Sequence, residues 1–458
     1  MRDFKHNGLE RCDISKGKSL LIDPDSVFWA ILKKRQGYLG STERKILAIY
    51  EGVKDKITQE MRDFRFNADL TAVYIDPTDR CNSNCPYCYV PAKLRKHGRS
   101  MTKKELVFIL EKTAAYFSAK GGGRKTAVIV FHASEPLLVK DIIFYAIERF
   151  KKEFKFGIQT NATLLENEDV KFLKNNRVGI GISLDSSSSS VNNRLRRGWG
   201  AGGNFEKAVR AIEMFNGYAG LNVITTITKF NVTGLSRMVE FLHSKKVPCV
   251  LLNPVRLTQK KSRSLKPDEA QMAKYFIKSV DTAVELSKST KRGIIIGNFA
   301  NVILSIIAPT ARRLMCDISP CGGGRCFLTI TASGEMIPCG EFIGLKGFSG
   351  GNIFSAKGGS ASGGKTGIEE AIRSKPFRQI RARFVERISE CSVCILRNIC
   401  GAPCPAELHS LGDMYKPSVF CEFYKKIIRY AFKLISEGKQ NYCLRREGLN
   451  NLEYEYRL

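Results

Sequence analysis

The sequence predicts an α/β fold in which six parallel strands and their crossover helices form a partial (β/α)6 barrel, followed by a cysteine-rich region. Three observations predict it. Six short runs rich in Val and Ile lie between residues 72 and 255 and alternate with longer amphipathic stretches. A group of cysteines directly follows the first run. Near residue 300 the rhythm stops, and Cys, Gly and Pro become frequent. At 458 residues the chain exceeds one ordinary domain. Three parts are expected, at 1–68, 69–300 and 301–458.

The first part has apolar spacing of helical type around Val27, Phe28, Trp29 and Ile31, then Ile46, Leu47, Ile49 and Tyr50, so a small helical segment is expected. The strand runs are Ala72 to Asp76, Ala127 to His132, Phe156 to Thr160, Val178 to Leu184, Leu221 to Thr228 and Cys249 to Val255. Between them Lys103 to Phe117 and Phe205 to Phe215 have helical periodicity and the length that a parallel crossover needs. Such folds place their chemistry at the carboxyl ends of the strands. Later, Gly347 to Gly367 is Gly/Ser-rich with almost no large apolar residue, the pattern of a mobile surface loop. Helical signal returns at Ile368 to Arg383 and Phe423 to Ile435.

Composition narrows the class. Apolar residues make up 43% and charged residues 26%, a globular balance. No apolar run is long enough to span a bilayer, and Met1-Arg2-Asp3-Phe4-Lys5-His6 lacks the apolar core of a signal peptide, so a soluble cytoplasmic protein is expected. Fifteen cysteines in a reducing compartment point to metal binding, more so because most fall in tight groups. The net charge of +30 suits either anionic partners or a solvated surface.

Asp76-Pro77-Thr78-Asp79-Arg80-Cys81-Asn82-Ser83-Asn84-Cys85-Pro86-Tyr87-Cys88 spaces three cysteines as C-x3-C-x2-C. Three thiolates can hold three irons of a 4Fe-4S cube and leave the fourth without a protein ligand. A catalytic metal site keeps such an open position. A zinc knuckle is the structural alternative. In its spacing and its place after the first strand, the loop resembles that of the radical S-adenosylmethionine (SAM) superfamily. The resemblance implies that Cys81, Cys85 and Cys88 are catalytic ligands, that SAM chelates the open iron, and that its reductive cleavage yields a 5′-deoxyadenosyl radical that abstracts hydrogen from substrate. Tyr87 then matches the position near the adenine.

Other motifs follow in the family's order. Phe131-His132-Ala133-Ser134-Glu135-Pro136 resembles a Gly-Gly-Glu-Pro motif with both glycines replaced, and implies that Ser134 and Glu135 meet the SAM ammonium. Gln159-Thr160-Asn161-Ala162-Thr163-Leu164-Leu165 resembles the third-strand segment, with Ala162 for Gly. In Gly181-Ile182-Ser183-Leu184-Asp185, Ser183 matches a ribose contact, and Arg196 aligns with an arginine that pairs with the methionyl carboxylate. By the same resemblance Gln159 and Asn161 are cofactor-binding. His132 reads as a hydrogen-bonded structural residue.

Towards the C-terminus, Cys321, Cys326 and Cys339 precede Cys391-x2-Cys394-x5-Cys400-x3-Cys404 and Cys421. This pattern resembles the SPASM extension of radical SAM enzymes, which carries two auxiliary 4Fe-4S clusters. The resemblance assigns Cys321, Cys326, Cys339 and Cys404 to one cluster and Cys391, Cys394, Cys400 and Cys421 to the other, three clusters in all. Two zinc sites would look alike in sequence. Cys12, Cys249, Cys316 and Cys443 stay unassigned, with Cys316 near enough to the first auxiliary group to be an alternative ligand.

SPASM-bearing relatives act on peptides and proteins, which implies a ribosomally made peptide or protein as substrate and an electron donor such as ferredoxin or flavodoxin. No membrane partner is expected, nor nucleic acid. Sulfatase maturases carry an aspartate after the third cysteine of the first auxiliary cluster, where this chain has Gly340, with Glu341 next. Activity on RNA or a small molecule, and a non-catalytic iron-sulfur or zinc scaffold or electron carrier, are the competing readings.

Overall fold

The computed structural model describes residues 5–445 except 7, 16, 34–40, 68, 121–126, 201, 291, 313, 356–366 and 402–403. Its centre is the predicted barrel sheet. Strands β5 (Ala72–Ile75), β6 (Ala127–Phe131), β7 (Phe154–Thr160), β8 (Gly179–Ser183), β9 (Leu221–Ile227) and β10 (Cys249–Pro254) follow four earlier strands and pair in parallel, each with the next. Val73, Ile129, Ile158, Ile180 and Val223 point to one face of the sheet and are buried in one core. Crossover helices close over them. Lys103–Ala119 opens on a capping box of Thr102 and Glu105, and Phe205–Phe215 buries Ala208, Ala211, Ile212 and Phe215 before Asn216 ends it in a left-handed turn.

The sheet is wider than six strands. β11 (Ile295–Ile296) joins β10 in parallel, and β12 (Phe327–Ile330) joins β5 in parallel, with β13 (Met336–Ile337) antiparallel beyond it. The cysteine-rich region is therefore stitched into the barrel sheet, Leu328 lying opposite Val73 and Ile330 opposite Ile75.

The N-terminal expectation needs correcting. Among the described residues, 5–33 are not helical: β1 (Lys5–His6), β2 (Leu9–Ser15), β3 (Lys18–Ile22) and β4 (Trp29–Lys33) form a four-stranded antiparallel sheet, and the helix of this part that is described is Ser41–Phe66. Leu20, Leu21 and Ile22 are buried on both faces of β3, which erases the alternation that marks a strand. Trp29 donates its indole N–H to the Ile306 carbonyl at 2.8 Å, and Arg65, near the helix end, grips Glu386 with two bonds of 2.7 and 2.8 Å.

In the C-terminal part, Gly367–Arg373 and Lys375–Arg381 flank Ser374, and Cys421–Ser436 is one helix, as the periodicity indicates. The segment Gly347 to Gly367 differs from expectation where it is described. Phe348 and Ile353 are 2% and 1% exposed, so two aromatic or aliphatic anchors pin a stretch whose composition looks loose. Residues 356–366 of it lie outside the described residues.

Candidate active site

The first cysteine loop leaves β5 at the carboxyl edge of the sheet and is held there from four sides. The buried Arg95 donates to the carbonyls of Ser83 at 2.9 Å and Val90 at 3.0 Å, and its guanidinium lies 5.4 Å from the Trp199 ring. Trp199 in turn donates to the Cys81 carbonyl at 2.7 Å. Asn161 reaches Asn82 at 2.7 Å and Ser83 at 3.1 Å, and Ser134 donates to the Asp79 carbonyl at 2.6 Å. Asn161 and Ser134 thus brace the cysteine loop as well as standing beside it.

The electrostatics suit bound thiolates. Burial pushes the Cys85 thiol up to about 11, opposed by Arg196 and Arg95, and burial raises Cys88 against the pull of Arg95. Two buried cations therefore face thiols that burial alone would keep protonated, and a metal would complete their ionisation.

Glu135 is wholly buried. Its Oε1 accepts from Thr160 Oγ1 at 2.6 Å and from the Leu137 N–H at 3.1 Å, and its Oε2 accepts from the Asn161 N–H at 2.7 Å. Burial lifts its carboxyl to about 7 despite these bonds and the nearby Arg196. It ties the end of β6 to the end of β7 and keeps further acceptor capacity.

Asp185, at the end of β8, gathers another group. Tyr87 donates its hydroxyl to Asp185 Oδ2, and Arg196 Nε lies 3.0 Å from the same oxygen, off the line of a good hydrogen bond. That N–H is ion-paired with Asp185 without making a well-aligned hydrogen bond among the described residues. Thr226 N–H donates to Asp185 Oδ1 at 2.9 Å. Gln159 and Gly181 sit opposite each other on β7 and β8, and Ser183 ends β8 half-buried. Every residue that the resemblance implicates, Tyr87, Ser134, Glu135, Gln159, Asn161, Ser183 and Arg196, thus stands on one edge of the sheet or on a loop leaving it. Arg95, Asp185 and Trp199 are additions; Trp199 alone carries a sequence signal, an indole among glycines and arginines.

The later cysteines form two neighbourhoods. Burial raises the Cys339 thiol well above its usual range, with Cys316, Cys404, Glu341 and Cys321 adding in that order. Burial pushes Cys404 up to about 12, Arg256 opposing and Glu341, Glu407 and Cys321 adding. Cys326 is 2% exposed and among the thiols is influenced by Cys321 alone. In the second neighbourhood burial raises Cys391 to about 11, with Cys421 and Cys394 adding, while Cys400 lies beside Tyr424. Among the described residues no three His, Cys, Asp or Glu side chains converge on a point that would hold one metal ion. A polynuclear cluster asks for wider spacing, since each thiolate meets its own iron.

Known proteins agree with this architecture. The profile of the radical SAM superfamily matches residues 75–243. An uncharacterized protein of Archaeoglobus fulgidus is 43% identical over 434 residues, covering 94% of this chain and 96% of that protein. The solved structure of native anSMEcpe with bound AdoMet and Cp18Cys peptide superposes with a TM-score of 0.67 at 19% identity, covering 81% of this chain and 99% of that one. SuiB of Streptococcus suis bound to precursor peptide SuiA gives a TM-score of 0.57 at 15% identity, covering 92% of this chain and 100% of that one. With three thiols at the first strand end, six parallel strands in sequential order, and a matching profile across that unit, residues 75–243 of the chain form a radical SAM domain.

Proposed function

We propose that this radical SAM enzyme modifies a ribosomally made peptide or protein after abstracting hydrogen from it. The carrying observation is the loop of Cys81, Cys85 and Cys88, flanked by the buried cations Arg95 and Arg196 and set at the carboxyl edge of the sheet. That donor set fits three corners of a 4Fe-4S cluster. Bound there, the cluster and SAM would supply one-electron cleavage of a carbon-sulfur bond and hence a hydrogen-abstracting species.

The chain's own groups have distinct tasks in this reading. Tyr87 and Ser183 would border the nucleoside. Arg196, held through Nε by Asp185, would take the methionyl carboxylate with the rest of its guanidinium. Glu135 would offer its remaining lone pairs to the ammonium, and an adjacent cation would hold it ionised despite its burial. Arg95 and Trp199 would keep the loop in shape.

For the auxiliary sites we read Cys391, Cys394, Cys400 and Cys421 as one ligand set. For the other, the shared neighbourhood of Cys316, Cys321, Cys339 and Cys404 supports Cys316 as the fourth ligand in place of Cys326. A peptide substrate is supported by the two fold relatives, each solved with a peptide bound. A ferredoxin or flavodoxin is the proposed electron donor.

The test is anaerobic reconstitution. About twelve irons per chain are expected for three cubes, with 5′-deoxyadenosine formed from SAM and dithionite. Cys85→Ala should abolish that product and lower the count by about four irons. Stoichiometric zinc with no 5′-deoxyadenosine would overturn the reading.

A further inference from the structure

His132 lies outside the groups used so far. It follows the last residue of β6, and its N–H donates to the Ile75 carbonyl at 3.1 Å, so the ring hangs from the carboxyl edge of the sheet. Nδ1 faces Asp76 Oδ1 at 3.9 Å. Asp76 is 1% exposed, and neither of its carboxylate oxygens has a hydrogen-bond partner among the described residues. The Tyr89 hydroxyl lies 3.5 Å from Nδ1 and 3.4 Å from Nε2, and Tyr74 packs edge-on at 5.3 Å.

The remaining side of the ring meets Gly340. A Cβ at this position would come within 3.3 Å of His132 Cε1 and 3.5 Å of Tyr89 Oη. The imidazole thus stands where a side chain at 340 would project, and glycine leaves it room. About a fifth of the His132 side chain, 21%, stays open to solvent. A buried carboxyl group with unmet oxygens, set against an imidazole with an open face, is not what packing alone produces.

We propose that His132 is the proton acceptor of the reaction, oriented by Asp76 and occupying the space that a side chain at position 340 would otherwise fill. The proposal rests on the peptide-modification reading for the place where substrate arrives. In the step itself a substrate O–H, S–H or N–H bond next to the attacked carbon breaks and its electron pair stays on the heteroatom. A new N–H bond forms on the imidazole, and the resulting cation faces Asp76. No electron leaves or enters in this transfer.

The surroundings keep the ring in its accepting form. Burial pulls the imidazole down to about 4, so it is neutral at neutral pH. Burial pushes Asp76 well above the usual carboxylate range, with Asp79 adding, and a proton gained by the ring would favour its ionisation. Tyr74 from β5 and Tyr89 from the cysteine loop also face the ring, and Glu341, Cys88 and Cys339 act on Tyr89 behind it.

The test uses reconstituted full-length enzyme and diethyl pyrocarbonate, which modifies neutral imidazole, with mass mapping across the five histidines. His132 should react at a rate that stays level from about pH 7 to about pH 5, where an ordinary imidazole slows. Gly340→Asp adds a carboxylate against the ring, which raises its pKa and should restore the slowing. With a pool of Ser-, Thr-, Cys- and Tyr-containing peptides, His132→Gln should lower mass-shifted product at least ~100-fold and 5′-deoxyadenosine far less. An unreactive His132, a pH profile indifferent to Gly340→Asp, or a parallel fall of product and 5′-deoxyadenosine overturns the proposal. Missing 5′-deoxyadenosine in the parent enzyme sinks the radical reading instead, because the carbethoxylation result is obtained without it.

Discussion

Ala133 and Ala162 adopt φ of 70° and 63°, in the left-handed region that disfavours a Cβ. These are positions where the superfamily usually has glycine, so the departures in sequence are strained departures in the backbone. The strain sits beside Glu135 and Asn161, which clamp the ends of β6 and β7. Ala133→Gly and Ala162→Gly, made singly, should leave stability unchanged or raise it by up to ~1 kcal/mol in urea unfolding, whereas Ala→Gly in an ordinary strand or helix costs ~0.5–1 kcal/mol. At this scale the sequence reveals residue identities better than partners. Arg196 and Ser134 are legible from motif order. Their partners, Asp185 and the Asp79 carbonyl, come from other strand ends, and no local spacing links them. Arg95 is invisible in sequence, since it is one of three Lys/Arg residues in a six-residue helix, a run that looks like surface charge.

Among elements, the six barrel strands were legible because apolar runs of strand length recur between helical stretches, their buried positions alternating with partly buried ones in most of them. The short β11, β12 and β13 were not, since two to four residues carry no period. The N-terminal sheet was misread as helix for a related reason: its β3 is apolar on both faces. Neighbouring strands also approach closely at one glycine. A Cβ on Gly181 would meet Ile224 Cδ1 at 3.0 Å, Asn222 Oδ1 at 3.2 Å and Gln159 Cγ at 3.3 Å. Gly181→Ala should therefore destabilise by ~1–3 kcal/mol in urea unfolding. If Gln159 borders SAM as proposed, the substitution should also weaken SAM binding in equilibrium dialysis, because the new Cβ presses on Gln159 Cγ.

For the whole molecule, the grouping of the later cysteines was legible, and the spacing-based ligand set and the one proposed above differ in whether Cys326 or Cys316 is the fourth ligand. Cys326 fits the familiar pattern, yet it is buried just before β12 and among the thiols feels Cys321 alone, while Cys316 interacts with Cys321, Cys339 and Cys404. Cys316→Ser should lose about four of the irons and one cluster signal in electron paramagnetic resonance, whereas Cys326→Ser should keep them. The reverse pattern would restore the spacing-based assignment. The composition break near residue 300 also misleads about independence. β12 supplies one of the two hydrogen-bonding neighbours of β5, the strand from which the first cysteine loop departs. A chain cut at that break would bare the backbone of its most important strand, and such a raw margin invites self-association. The compositional seam is thus no place to dissect this enzyme. A fragment of residues 69–300 should elute as aggregate in size-exclusion chromatography and refuse to assemble even its own cluster.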